Sequence, residues 1–353
     1  MIRSALRNAL TAVAMIAPLA APQGAWAGQP VDKSQKVERT GQCQLLQLKT
    51  LHVEMVDGRP MIPSVLNGQK VMMLADTGVA NTMLLRAAAD RLGIKHGVMT
   101  LDDPVTLPEL IGVGNPEDVH TTTVDLDVDS IAVKNAPILV AGTADTLGRP
   151  DVAGAVGASM FWSLDVEFDL PHGAIRMFLT RDCKAEQMVY WGGPFSDAPL
   201  KSSADAYYEF RMDATLNGKD VVAILASGSP VSLVTAPTAQ RVRARTDRSV
   251  KPIELGGRFA KAPLKSWTGA FDSFTIGNEK VVGGLRLQIA DPYYEESRTL
   301  TGTRLLRRPA GTPEMLLGAD FFLAHRVMIA NSQGRVYFSP TGGRVFETVG
   351  TGD

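Results

Sequence analysis

Residues 66–78 read LNGQKVMMLADTG, and residues 216–228 read LNGKDVVAILASG. In each stretch an Asn-Gly pair lies between alternating apolar runs, the signature of a β-hairpin turn. The strands after the turns are placed at 71–75 and 221–225. Eight residues beyond each turn glycine the strand ends, at Asp76-Thr77-Gly78 in the first stretch and Ala226-Ser227-Gly228 in the second. The same spacing in two places marks a duplicated unit.

A second pair of segments supports the duplication. Residues 157–173 read GASMFWSLDVEFDLPHG and residues 318–334 read GADFFLAHRVMIANSQG. Phe161 matches Phe322, Val166 matches Val327, and an alternating apolar run follows each block. Between the two anchors, residues 84–93 read as an amphipathic helix ended by a glycine, with residues 235–244 as the counterpart. Strands are expected at 121–128 and 132–140. The organisation read from this is a domain at 45–183, a linker at 184–204 holding Gly192-Gly193-Pro194, and a second domain at 205–345. The class is all-β, mainly strands with short helices.

The N-terminus stands apart from this pattern. Arg3 and Arg7 precede an apolar run from Ala9 to Ala21, and Ala25-Trp26-Ala27 supplies small residues for cleavage before Gly28. Residues 1–27 therefore read as a secretory signal peptide. An uncleaved anchor is disfavoured because the run is short and Pro18 interrupts it. The mature chain is expected in the periplasm or secreted, with no stable membrane insertion. Net charge is −1, which gives no whole-chain attraction to nucleic acid or anionic lipid. Cys43 and Cys183 are the two cysteines, near the ends of the first domain. An oxidising compartment favours a disulfide between them. Two free buried thiols are the alternative.

Asp76 is the residue with chemical promise. A strand would hold its carboxylate rigidly, Gly78 would let the chain turn, and the Thr77 hydroxyl could bond across to a partner loop. The segment resembles the active-site loop of retropepsin-like aspartic peptidases. The 157–173 and 318–334 blocks resemble the glycine-containing end of the same domain. Residues 110–126, with Gly112 and Gly114, resemble its flap hairpin, and residues 255–271, with Gly256 and Gly257, would be the counterpart. The resemblance implies two tandem retropepsin-like acid-protease barrels with pseudo-two-fold symmetry. It also implies an extended polypeptide as substrate or ligand, and Asp76, Thr77 and Gly78 as catalytic residues. In such peptidases two carboxylates meet and share one proton, because like charges so close cannot both ionise.

The second copy departs from that pattern, since Ala226 stands where the second aspartate would be. Val79 also replaces the small residue usual after the triplet, while Ser229 occupies that place in the second copy. Three readings follow. Two chains could pair their first domains as a homodimer, against a tethered second copy at roughly millimolar effective concentration. Asp76 alone could act as general base, with Ser227 or water in the partner role. Alternatively the cleft binds extended peptide without cleaving it, with Ala226, Ser227 and Gly228 a degenerate counterpart.

Other signals are weaker. His52, His96, His120, His172 and His325 show no metal-type spacing, and no metal or cofactor is expected. No GxSxG elbow is present. Asp169 and Asp320 lack the strand–Asp–Thr–Gly context and read as loop-orienting residues. Two arginine runs, at Arg241, Arg243, Arg245 and Arg248 and at Arg304, Arg307 and Arg308, read as solvated faces.

Overall fold

The computed structural model describes residues 42–98, 119–141, 149–201, 208–246, 251–255, 264–291, 312–343 and 345–346. The signal-peptide segment and the flap glycines Gly112, Gly114, Gly256 and Gly257 lie outside the described residues.

Both Asn-Gly turns form as expected. Asn67 and Gly68 have φ of 47° and 82°, and Asn217 and Gly218 have 50° and 71°. Positive φ at both central residues matches the right-handed twist of the flanking strands. The hairpins so made are Arg59–Leu66 with Gln69–Ala75, and Arg211–Leu216 with Lys219–Leu225.

Each hairpin opens a barrel. In the first half the order runs Arg59–Leu66, Gln69–Ala75, Val152–Val156, Met83–Leu85, Ile131–Ala141, His120–Val128. Pairing of His120–Val128 back to Arg59–Leu66 closes the ring at six strands. In the second half the order is Arg211–Leu216, Lys219–Leu225, Met315–Leu317, Leu233–Val234, Glu279–Ile289, Leu264–Ile276, and the last strand pairs with the first. Corresponding strands pair in the same sense: Gln69–Ala75 is parallel to Val152–Val156, as Lys219–Leu225 is to Met315–Leu317. Among the described residues the molecule is mainly β, with two tandem closed barrels of six strands each. Its helices are short, among them Arg86–Arg91 and its counterpart Ala236–Arg241.

A third sheet of six strands joins the halves, in the order Gln44–His52, Ala174–Arg181, Asp165–Asp169, His325–Ala330, Arg335–Pro340, Ser196–Pro199. Its middle pair brings Phe168 opposite Val327, one strand from each half. A continuous apolar core runs through both barrels and into this sheet, with Phe168 and Phe322 in ring contact at 5.2 Å.

The described part of the stretch expected as a linker, residues 184–201, holds structure of its own. Ala185–Met188 is a helical turn, and Ser196–Pro199 pairs with Arg335–Pro340 at one edge of the shared sheet. Gly192 and Gly193, at φ of 77° and 86°, form a turn between them. Cys43 and Cys183 form a disulfide that ties the start of Gln44–His52 to the chain just after Ala174–Arg181. No helix among the described residues is long and apolar enough to cross a membrane.

Candidate active site

Asp76 and Ala226 occupy the same place in their barrels, each directly after the strand that follows the Asn-Gly turn. The Asp76 N–H donates to Val156 O at 3.0 Å, and the Ala226 N–H to Leu317 O at 2.8 Å. Each loop is thereby hung on the neighbouring parallel strand before its side chains are considered.

The two loops meet between the halves, and their bonding is reciprocal. The Thr77 N–H donates to Ser227 Oγ, and the Ser227 N–H to Thr77 Oγ1, both at 3.1 Å. The Ser227 hydroxyl in turn donates to Ala75 O at 2.8 Å. All four groups are buried, so each bond removes a donor or acceptor that would otherwise be costly to desolvate. The hydroxyl foreseen at residue 227 is therefore engaged in joining the loops.

Asp76 lies at this junction and is fully buried. Its Oδ1 accepts the N–H of Gly78 at 2.8 Å and the N–H of Gly228, from the other half, at 3.1 Å. Ala226 has no acceptor to offer the glycine two residues on in its own loop. The first half's carboxylate takes that N–H instead. The approach is close: a Cβ on residue 228 would lie 2.3 Å from Asp76 Cγ, so only glycine fits.

Around Ala226 the cluster is apolar. Ala226 packs with Ile224, Val231, Leu233, Ala290 and Leu316. Ser229, the counterpart of Val79, donates its hydroxyl to Val231 O at 2.8 Å and so braces its own loop. Val79 is buried in the core.

Ser232 has no role in the sequence reading, where Asp320 figures only as a loop-orienting residue. Asp320 is buried, with Oδ2 accepting the Ser232 N–H at 2.9 Å and Oδ1 accepting the Ser232 hydroxyl at 2.6 Å and the Phe321 N–H at 2.9 Å. Ser232 Oγ also accepts the Gly318 N–H at 2.9 Å. Burial among these neutral donors pushes the Asp320 carboxyl up to about 6. The signal for Asp320 lay in the comparison of GAS at 157–159 with GAD at 318–320, the point where the second block gains a carboxylate.

Asp169 lies elsewhere, in the shared sheet, bonded to Arg176 and His172. Burial alone would raise its carboxyl. The hydrogen bonds from Arg176 and His172, with the charge of Arg326, hold it below the usual range. Of the arginine runs, Arg241 pairs with Glu314 and Arg245 with Asp272, and residues 304–308 lie outside the described residues. Among the described residues no group of three or more His, Cys, Asp or Glu could hold a metal.

No family model and no curated protein matches this sequence. Among solved structures, the chain is similar to the crystal structure of aspartic proteinase from Irpex lacteus, with a TM-score of 0.45 and 14% sequence identity, over 83% of this chain and 97% of that one. The barrels and the shared sheet are defined by this chain's own strand pairings.

Proposed function

We propose that this chain is an exported, retropepsin-like aspartic peptidase of extended polypeptides, with Asp76 as its one catalytic carboxylate and Thr77 and Gly78 holding it in place. The domain limits 45–183 and 205–345 belong to the same proposal. The observation that carries it is the loop junction, where two face-to-face loops aim the N–H groups of Gly78 and Gly228 at one oxygen of Asp76. Asp76 would take a proton from water as that water's oxygen bonds to the scissile carbonyl carbon. The same proton would pass to the amide nitrogen as the C–N bond breaks. A single carboxylate does both in turn. Loss of a dedicated general acid slows such a reaction by about 10²–10⁴ without removing the contribution of binding and orientation.

The site lies within one chain. Pairing Asp76 with its copy in a second molecule would require breaking the reciprocal Thr77–Ser227 bonds. Export is supported by the N-terminal pattern and by the Cys43–Cys183 bridge, which suits an oxidising compartment. One observation favours a second reading, a peptide-binding protein without catalysis: Ala226 packs in an apolar cluster where the partner carboxylate would stand.

Cleavage of a peptide library between about pH 3 and pH 8, followed by mass spectrometry, separates the two readings. The peptidase reading expects cleavage by the wild type, its loss in Asp76→Asn, and a gain of about 10²-fold or more in Ala226→Asp. Peptides retained by the wild type but cut at no pH would decide for the binding protein.

A further inference from the structure

We infer that Asp320 is a positioning residue for the inter-lobe site: its buried carboxylate holds Ser232 and Gly318, and through them the loop whose Gly228 N–H reaches Asp76. This deepens the peptidase reading and rests on it for the word site, but its geometry stands without any substrate.

The connection can be followed bond by bond. Asp320 fixes Ser232 by its N–H and its hydroxyl together, and Ser232 Oγ receives the Gly318 N–H. Ala319, next to Asp320, donates its N–H to Ser229 O at 2.7 Å, and the Ser229 N–H closes the turn on Ala226 O at 2.9 Å. The loop is thus held at Ser229 and at Ser232 by three consecutive residues, 318–320. A Cβ on Gly318 would lie 2.5 Å from the Val231 carbonyl carbon, so the two segments press together as closely as backbone allows. Gly228 sits just before the first of these holds.

The first half lacks this device. There the Gly157 N–H donates to Thr82 Oγ1 at 3.2 Å, and the N–H groups of Ala158 and Ser159 donate to the carbonyls of Val79 and Ala80. Ser159 stands where the second half has Asp320. The half with Ala226 at the loop tip has a carboxylate beneath the loop, and the half with Asp76 at the tip has Ser159 there. A buried carboxylate with neutral partners is costly, and two of its three hydrogen bonds here, those from Ser232, bear on the placement of the loop.

Protonation would turn one Asp320 oxygen from acceptor to donor, and its contacts with Ser232 would have to rearrange. The rise of this carboxyl to about 6 puts that change within an accessible range. Among the described residues, His325 approaches from the end of the helix that carries Asp320, its ring meeting Phe321 O and Glu279.

The test follows the backbone amide NMR signals of Gly228 and Ser232 in the full exported chain from about pH 4 to about pH 8. In the wild type both should shift with one midpoint near 6. In Asp320→Asn and in Asp320→Ser, which copies the first half, neither should follow that midpoint, and Gly228 amide exchange should quicken about tenfold. A wild-type Ser232 signal that titrates while Gly228 stays still overturns the inference. So does Gly228 exchange left unchanged in a folded variant. No substrate enters these measurements, so their outcome is independent of whether peptides are cut. Where cleavage is observed, its pH profile should change in Asp320→Asn while KM stays near the wild-type value.

Discussion

Asp76 and Asp320 are both buried carboxylates, and their surroundings give them different work. Asp76 accepts glycine N–H groups from both halves and is part of the junction itself. Asp320 accepts from Ser232 and Phe321, all neutral, and its carboxyl is pushed up to about 6. The consequence for stability has a definite sign. A folded-state value above the ordinary 3.8 means that the folded chain binds this proton more tightly than the unfolded chain does. The contribution is fully present below the ordinary value and is lost as pH rises through about 6. Its size is about 3 kcal/mol, from roughly 1.4 kcal/mol per unit. Asp169 has the opposite shift, as do Asp125, Asp129 and Asp151, and their contributions fall as the solution is acidified, so total stability mixes both signs. Comparing wild type with Asp320→Asn isolates the Asp320 contribution. Urea unfolding should show the wild type losing about 2 kcal/mol relative to that variant between about pH 4 and about pH 7, most of the full contribution. A difference that stays flat over that range would count against the buried-carboxylate account.

Among the elements, those made by local rules were legible. Asn67-Gly68 and Asn217-Gly218 specify hairpins through residues next to one another, and the equivalence of Asp76 with Ala226 follows from counting along strands of equal length. The shared sheet follows no such rule. Asp165–Asp169 reads DVEFD, which by pattern suggests one polar face open to water, yet all five residues are buried. Their charges are compensated from far along the chain. Glu167 is bonded by Arg176 of the next strand, by Arg326 from the other half and by the Tyr190 hydroxyl. Asp165 accepts the N–H and hydroxyl of Ser332. Arg326 also lies over the Trp191 ring at 4.6 Å, which places the apparent linker against this cluster. Ser196–Pro199 was hidden for a related reason. A short polar run ending in proline suits an edge strand, but only its partner Arg335–Pro340 reveals it as one. The bond from Gly228 to Asp76 likewise depends on how two loops far apart in sequence align. Asp320 passed as a loop residue because its partner Ser232 lies 88 positions away.

At the scale of the whole molecule, the shared sheet decides whether the halves are separate domains in the thermodynamic sense. Its central pairing joins one strand from each half, and the apolar core passes through it. Removing either half would expose the edge of Asp165–Asp169 or His325–Ala330 and separate Glu167 from Arg326, leaving Arg176 as its cationic partner; breaking a buried pair costs about 3–5 kcal/mol. The duplicated chain should therefore melt as one cooperative unit. The disulfide acts on a different quantity. Cys43 and Cys183 are 140 residues apart, and closing so long a loop restricts the unfolded chain by about 5 kcal/mol in the entropy model, with about 2–4 kcal/mol typical of measured bridges. Both cysteines flank strands of the first half, so the bridge clips the edge strand Gln44–His52 without crossing the junction. Calorimetry of the wild type and of a Cys43→Ala, Cys183→Ala double variant tests both points together. One transition is expected in each, lowered in the variant by about 2–5 kcal/mol. Two resolved transitions in the wild type would mean that the halves unfold independently despite the shared sheet. Transitions that separate only in the variant would assign their coupling to the bridge.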